Sequence, residues 1–101
     1  MMLAFDELPT GFQRALEMAW ASSAAGSFGV GAAVATADGT LVATGRNRLF
    51  EQDRGDDLLA GTSLAHAEIN ALGKLPFTKY RDQRLVLWTT LQPCEIGRAH
   101  V

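Results

Sequence analysis

Cysteine is nearly absent: the 101 residues contain one, Cys94. A lone thiol excludes an internal disulfide and fits a reducing compartment, so a cytoplasmic protein is expected. Basic excess is missing too. The formal net charge is −2, which lacks the positive footprint that nucleic-acid surfaces carry. No run reaches the roughly 18 uncharged apolar residues of a membrane span. The first residues include Asp6 and Glu7 and no basic stretch, so they are not read as a signal peptide. What is plentiful is apolar material. Hydrophobic residues make up 48% and charged ones 20%, enough for the core of one globular domain.

The pattern along the chain predicts alternating helices and strands. Residues 10–25 read as a helix, with Thr10 as N-cap after Pro9 and Gly26 at the C-cap. Phe12, Leu16, Ala19, Trp20 and Ser23 recur at helical spacing and predict its packed face. Val30 to Thr36 and Leu41 to Gly45 read as strands joined by Ala37-Asp38-Gly39-Thr40, a turn with Asp-Gly at its centre. The Ala and Gly of the first strand allow a close approach, by a packed helix or by a substrate ring. Residues 48–63 form a long polar connection. A second helix is expected over Leu64 to Leu72, capped by Thr62 or Ser63, followed by a connection over 75–84. Leu85 to Thr90 reads as a strand, and Pro93 ends it before a helix start at Cys94. Strands interleaved with helices predict an α/β layered domain.

Two short motifs carry chemistry. His66-Ala67-Glu68 places an imidazole and a carboxylate at a predicted helix start. Residues two apart on a helix point about 200° apart, so the pair cannot act as two ligands stacked on one face. In a first turn, however, both can reach one cavity. His66 then offers a nitrogen to a metal, and Glu68 can stand beside it unligated. Thr90-Leu91-Gln92-Pro93-Cys94 places a thiol after a strand, at a helix N-terminus, where its pKa is lowered. Zinc needs that thiolate. A cysteine one helical turn later would share the metal.

His-x-Glu followed by Pro-Cys resembles the cytidine/deoxycytidylate deaminase superfamily, whose signature is H-x-E…P-C-x-x-C. Phe28-Gly29-Val30-Gly31-Ala32-Ala33-Val34, Gly45-Arg46-Asn47-Arg48 and the two motif segments extend the resemblance over residues 10–94. It implies a three-layer α/β/α fold with a mixed central sheet, here without its C-terminal strands and helices. It implies Zn2+ held by His66 and Cys94, with Glu68 as the general acid/base. Asn47 would contact substrate, and Phe28 and Ala33 would line the pocket. The reaction implied is hydrolytic deamination of a nucleobase, nucleoside or nucleotide, amine to carbonyl plus ammonia. A bound zinc supplies a nucleophilic water near neutral pH. The charge balance favours a free base or nucleoside over a nucleic acid. Family habit implies a homo-oligomer. A tRNA adenosine deaminase, a riboflavin-pathway deaminase domain and a metal-free binding or dimerisation module are the alternatives.

The chain departs from that signature at position 97, where Gly97 replaces the expected cysteine. His100 lies six residues after Cys94 and would fall near the opposite helix face. Ile96 to Val101 can be encoded as ATC GGA AGA GCA CAC GTC, which resembles a sequencing-library adapter, and the preceding AG can complete a codon for Glu95. Residues 1–94 are therefore expected to be one native domain segment, and residues 95–101 adapter read-through. With two ligands, the chain is expected to bind zinc weakly and to be inactive, poorly stable and aggregation-prone.

Overall fold

A computed structural model describes residues 5–90. A single 3-10 turn, Phe5–Glu7, precedes helix α1, Thr10–Ala24. Strands β1, Gly31–Thr36, and β2, Leu41–Arg46, follow. After the long connection come α2, Ala67–Leu72, the short α3, Phe77–Tyr80, and β3, Leu85–Thr89. The sheet order is β2-β1-β3. Both pairings are antiparallel, so the expected mixed sheet finds no parallel pair among the described residues.

Glycines show how the layers stack. A Cβ on Gly31 would lie 2.0 Å from Ala15 O of α1, and one on Gly45 would lie 2.3 Å from Ala71 N of α2. Gly45 is the cross-strand partner of Ala32, the residue after Gly31. Successive strand residues face opposite ways, so α1 covers one face of the sheet and α2 the other. The architecture is α/β/α, three layers deep. Ala32, Val34, Ala43, Ala67 and Ala71 form the core on the α2 side. Gly31, Ala33 and Ala35 lie under α1.

This close approach explains a correction to the expected face of α1. The buried residues are Gly11, Ala15 and Ser22, whereas Trp20 is 79% exposed and Ser23 is also exposed. Backbone this near to backbone leaves room only for small side chains, so the bulky apolar residues are displaced to the flanks. Phe12 finds a place there against Trp88 of β3, ring centroids 6.0 Å apart.

Helix ends differ from expectation in similar detail. Thr10 is the first helical residue and Pro9 the cap, with no side-chain cap bond. Ala25 is the C-cap of α1, and Gly26 follows at φ 90°. Gly26 N donates to Ser23 O at 3.0 Å and Ser27 N to Ser22 O at 2.9 Å, the Schellman pattern that a left-handed glycine permits. Helix α2 starts at Ala67, not Leu64, because His66 is extended at φ −80°, ψ 152°. His66 therefore takes the cap position expected for Thr62 or Ser63. The one-turn α3 lies within a segment read as a connection. The helix expected from Cys94 lies outside the described residues.

The hairpin turn forms as the Asp-Gly signal predicts. Gly39 has φ 96°, and Asp38 Oδ1 accepts from Thr40 N at 3.1 Å and from the Thr36 hydroxyl. A register irregularity between Val34 and Ala35 absorbs the turn's extra residue.

Candidate metal centre

Helix α2 presents its N-terminus to the end of β2. His66 is its cap and Glu68 stands in its first turn; both side chains are half-buried. The placement follows from local packing. Ala67, Asn70 and Ala71 are the buried stripe of α2, which leaves His66 and Glu68 at the margin of the interface. Arg48 N donates to Ala65 O at 3.0 Å. That bond joins the residue after Asn47 to the residue before His66, so the Asn47 segment runs beside the start of α2.

Asn47 is 3% exposed. It carries the β1–β2 ladder one step past the strand, donating from its N–H to Val30 O at 2.9 Å. Its carbonyl accepts from Ser22 Oγ at 2.7 Å, and its Oδ1 accepts from Leu49 N at 3.1 Å. Among the described residues its Nδ2 has no partner. The side chain thus caps a turn with its oxygen.

Phe28 is 61% exposed and lies against Phe50, ring centroids 5.1 Å apart. Ala33 is fully buried, but strand alternation turns it toward α1, away from α2. Its neighbour Ala32 faces α2. Cys94 and Gly97 lie outside the described residues.

One residue of this region was not singled out from the sequence. Asn70 is fully buried on α2. Its Nδ2 donates to Arg46 O at 2.9 Å and Leu59 O at 3.1 Å, and its Oδ1 accepts from Leu59 N at 2.8 Å. It ties α2 to the end of β2 and to the long connection at once. The available signal was an amide in the buried stripe of a helix, where only a satisfied polar group is tolerated.

The long connection is fixed by charge. Asp57, 2% exposed, accepts from Arg48 Nε at 2.5 Å. Lys74 Nζ stands 2.9 Å from Asp57 Oδ1 as an ion pair, off the angle of a hydrogen bond, so that oxygen is balanced by charge alone. Burial pulls the Arg48 guanidinium down. The Asp57 hydrogen bond and the charges of Asp57 and Glu51 outweigh burial and hold its pKa above the ordinary value. The acidic run is therefore partly structural: Asp57 is an anchor, while Asp53 and Asp56 are exposed.

Among the described residues no group of three or more His, Cys, Asp or Glu is placed to hold a metal ion. Those residues supply one imidazole and one adjacent carboxylate, which fits part of a zinc site. The sequence model of the cytidine and deoxycytidylate deaminase zinc-binding region matches residues 7–99. The match covers more than half of the chain and both motif segments, so the chain belongs to that family. No curated protein matches it. The family is one of zinc-binding deaminases, hydrolases by class. No helix among the described residues is long and apolar enough to cross a membrane.

Proposed function

We propose that this chain carries the first part of a zinc-dependent site for hydrolytic deamination of a free nucleobase, nucleoside or nucleotide, in a cytoplasmic protein. The carrying observation is the Arg48 N–Ala65 O bond, which brings the segment of Asn47 beside the start of α2, where His66 is the cap and Glu68 lies in the first turn. His66 and Cys94 hold the zinc. When bound, the metal supplies a water activated near neutral pH. Glu68 would stay unligated, take a proton from the attacking water and pass it to the ring nitrogen, then carry the second proton of the same oxygen to the amine, which leaves as ammonia while the carbonyl forms. Asn47 Nδ2 donates to a substrate oxygen, and Phe28 offers its ring face to a planar heterocycle. A net charge of −2 supports a small substrate over tRNA, and family habit supports a homo-oligomer.

The same reading makes the 101-residue chain a weak zinc binder, because Gly97 stands where the third donor belongs. Its test is zinc per chain together with ammonia release from cytidine, cytosine, adenosine and guanine. The expected result is substoichiometric zinc and negligible ammonia for the chain as written. In Gly97→Cys, zinc approaches one per chain, and any ammonia released is lost on Glu68→Gln with zinc retained. Tight stoichiometric zinc in the unaltered chain would contradict the ligand assignment. No zinc in either form would favour the metal-free binding module.

A further inference from the structure

Glu51 lies in the turn after Asn47, and its carboxylate joins three segments. Oε1 accepts from Arg46 Nη2 and from Arg48 Nη1, each at 2.9 Å. Oε2 accepts from Ser27 Oγ at 3.1 Å. Arg46 and Arg48 are the two neighbours of Asn47. Ser27 is the neighbour of Phe28, and the same hydroxyl accepts from Phe50 N at 3.4 Å. Arg46 is held again from the other side, donating from Nη1 to Ala21 O of α1 at 2.5 Å. The Glu51 side chain is 10% exposed, so these charge-assisted bonds are little screened.

A carboxylate satisfied by two guanidinium groups and a hydroxyl has little freedom left. Neither has the backbone between those guanidinium groups. Asn47 is that backbone, and its one donor without a partner among the described residues is Nδ2. The residue carrying that donor and the loop carrying Phe28 are therefore set by one side chain that belongs to neither motif.

We propose that Glu51 is a positioning residue, which fixes Asn47 and the Phe28 loop relative to each other at the margin of the α2 N-terminus. That Asn47 and Phe28 serve a substrate rests on the deaminase reading; that Glu51 fixes them does not. The experiment is residue-resolved amide exchange on the full chain and on Glu51→Gln, with cytidine, cytosine, adenosine and guanine titrated against both in a Gly97→Cys background. Glu51→Gln keeps the side-chain size and removes the charge. Loss of a charged acceptor is expected to raise exchange at the Asn47 and Leu49 amides about tenfold. The Leu49 amide reports the Asn47 side chain directly, since Asn47 Oδ1 is its acceptor. Amides of β1, β2 and β3 are expected to hold their protection, and affinity for whichever of the four ligands binds to fall by a similar factor.

Unchanged exchange at Leu49 would overturn the proposal, as would an equal rise throughout the sheet, which is what general destabilisation produces. Local loosening on Glu51→Gln in a chain that binds none of cytidine, cytosine, adenosine and guanine, even with Gly97→Cys, would uphold the positioning role and sink the deaminase reading. Ser27→Ala removes one of the three contacts and decides the matter if Glu51→Gln does not fold. It is expected to loosen the same two amides to a smaller extent, and no change there would overturn the proposal.

Discussion

Single residues set how closely the layers approach. Gly31 is the clearest case: any side chain there meets the backbone of α1, with Ala15 O at 2.0 Å and Ala19 N at 2.4 Å from its Cβ position. Backbone of a packed helix cannot move aside cheaply, so Gly31→Ala is expected to cost about 2 kcal/mol or more, read as a lowered denaturation midpoint. Asp38 offers a contrast at the surface. The Thr36 hydroxyl, then the Thr40 N–H, hold its carboxyl below the ordinary value. A lowered folded pKa stabilises the native state above the ordinary carboxylate range, and that contribution is lost as pH falls through the folded value. Asp38→Asn should therefore destabilise the hairpin slightly at neutral pH. The difference from the unaltered chain should close on acidification below the usual Asp range, and a difference constant with pH would contradict the turn's hydrogen bonding. Residue identities were legible here in part. Asp38-Gly39 announced its turn because only that chemistry suits it. The packed face of α1 was misread because size, not hydrophobicity, decides what fits over Gly31 and Ala33. Ala33 was assigned to a pocket on resemblance, and only the strand register shows it beneath α1.

At the scale of elements, the long connection behaves as a built part of the site's frame. Arg48, Glu51 and Asp57 lie within it, and Arg46 and Lys74 grip it from β2 and from the end of α2. Asn70 adds three hydrogen bonds from inside α2. Removing one member of a buried charge pair costs about 3–5 kcal/mol. Asp57→Ala should fall at the low end of that range, because Arg48 keeps Glu51. Limited proteolysis should then cut first between residues 50 and 62. Cleavage no faster than in the unaltered chain would mean that the ion pairs do not hold the loop. None of this was readable in the sequence beyond the length and polarity of the segment. Pair partners such as Arg48 and Asp57 are nine positions apart with no periodic element between them, so spacing carries no signal. The helices and strands themselves were legible because their signals are local. The start of α2 was displaced because His66 is extended and Ala65 O accepts from Arg48 N, a partner outside the helix.

For the whole molecule, the described residues form a sheet with helices on both faces and β3 at one edge, paired only with β1 among those residues. Leu87 pairs with Val34 and so faces the α2 side, yet it is 42% exposed; Ile69 and Leu72 on α2 are 43% and 44% exposed. An unpaired edge beside apolar side chains invites pairing between chains. The polypeptide is expected to aggregate with rising concentration, and Leu87→Lys to reduce light scattering without altering secondary structure. The family and the layer order were legible at this scale because the motif segments are short, ordered and tied to element ends. The missing third donor was likewise a reading of the sequence, at Gly97, and Cys94 and Gly97 lie outside the described residues.

The most direct measurement is a competitive zinc titration of the chain against Gly97→Cys, using a chelator of known affinity. The substitution is expected to tighten zinc at least about a hundredfold, with His66→Ala abolishing the gain. Equal affinity in the two forms, or a gain that survives His66→Ala, would contradict a zinc site built from the start of α2 and the Pro93-Cys94 segment.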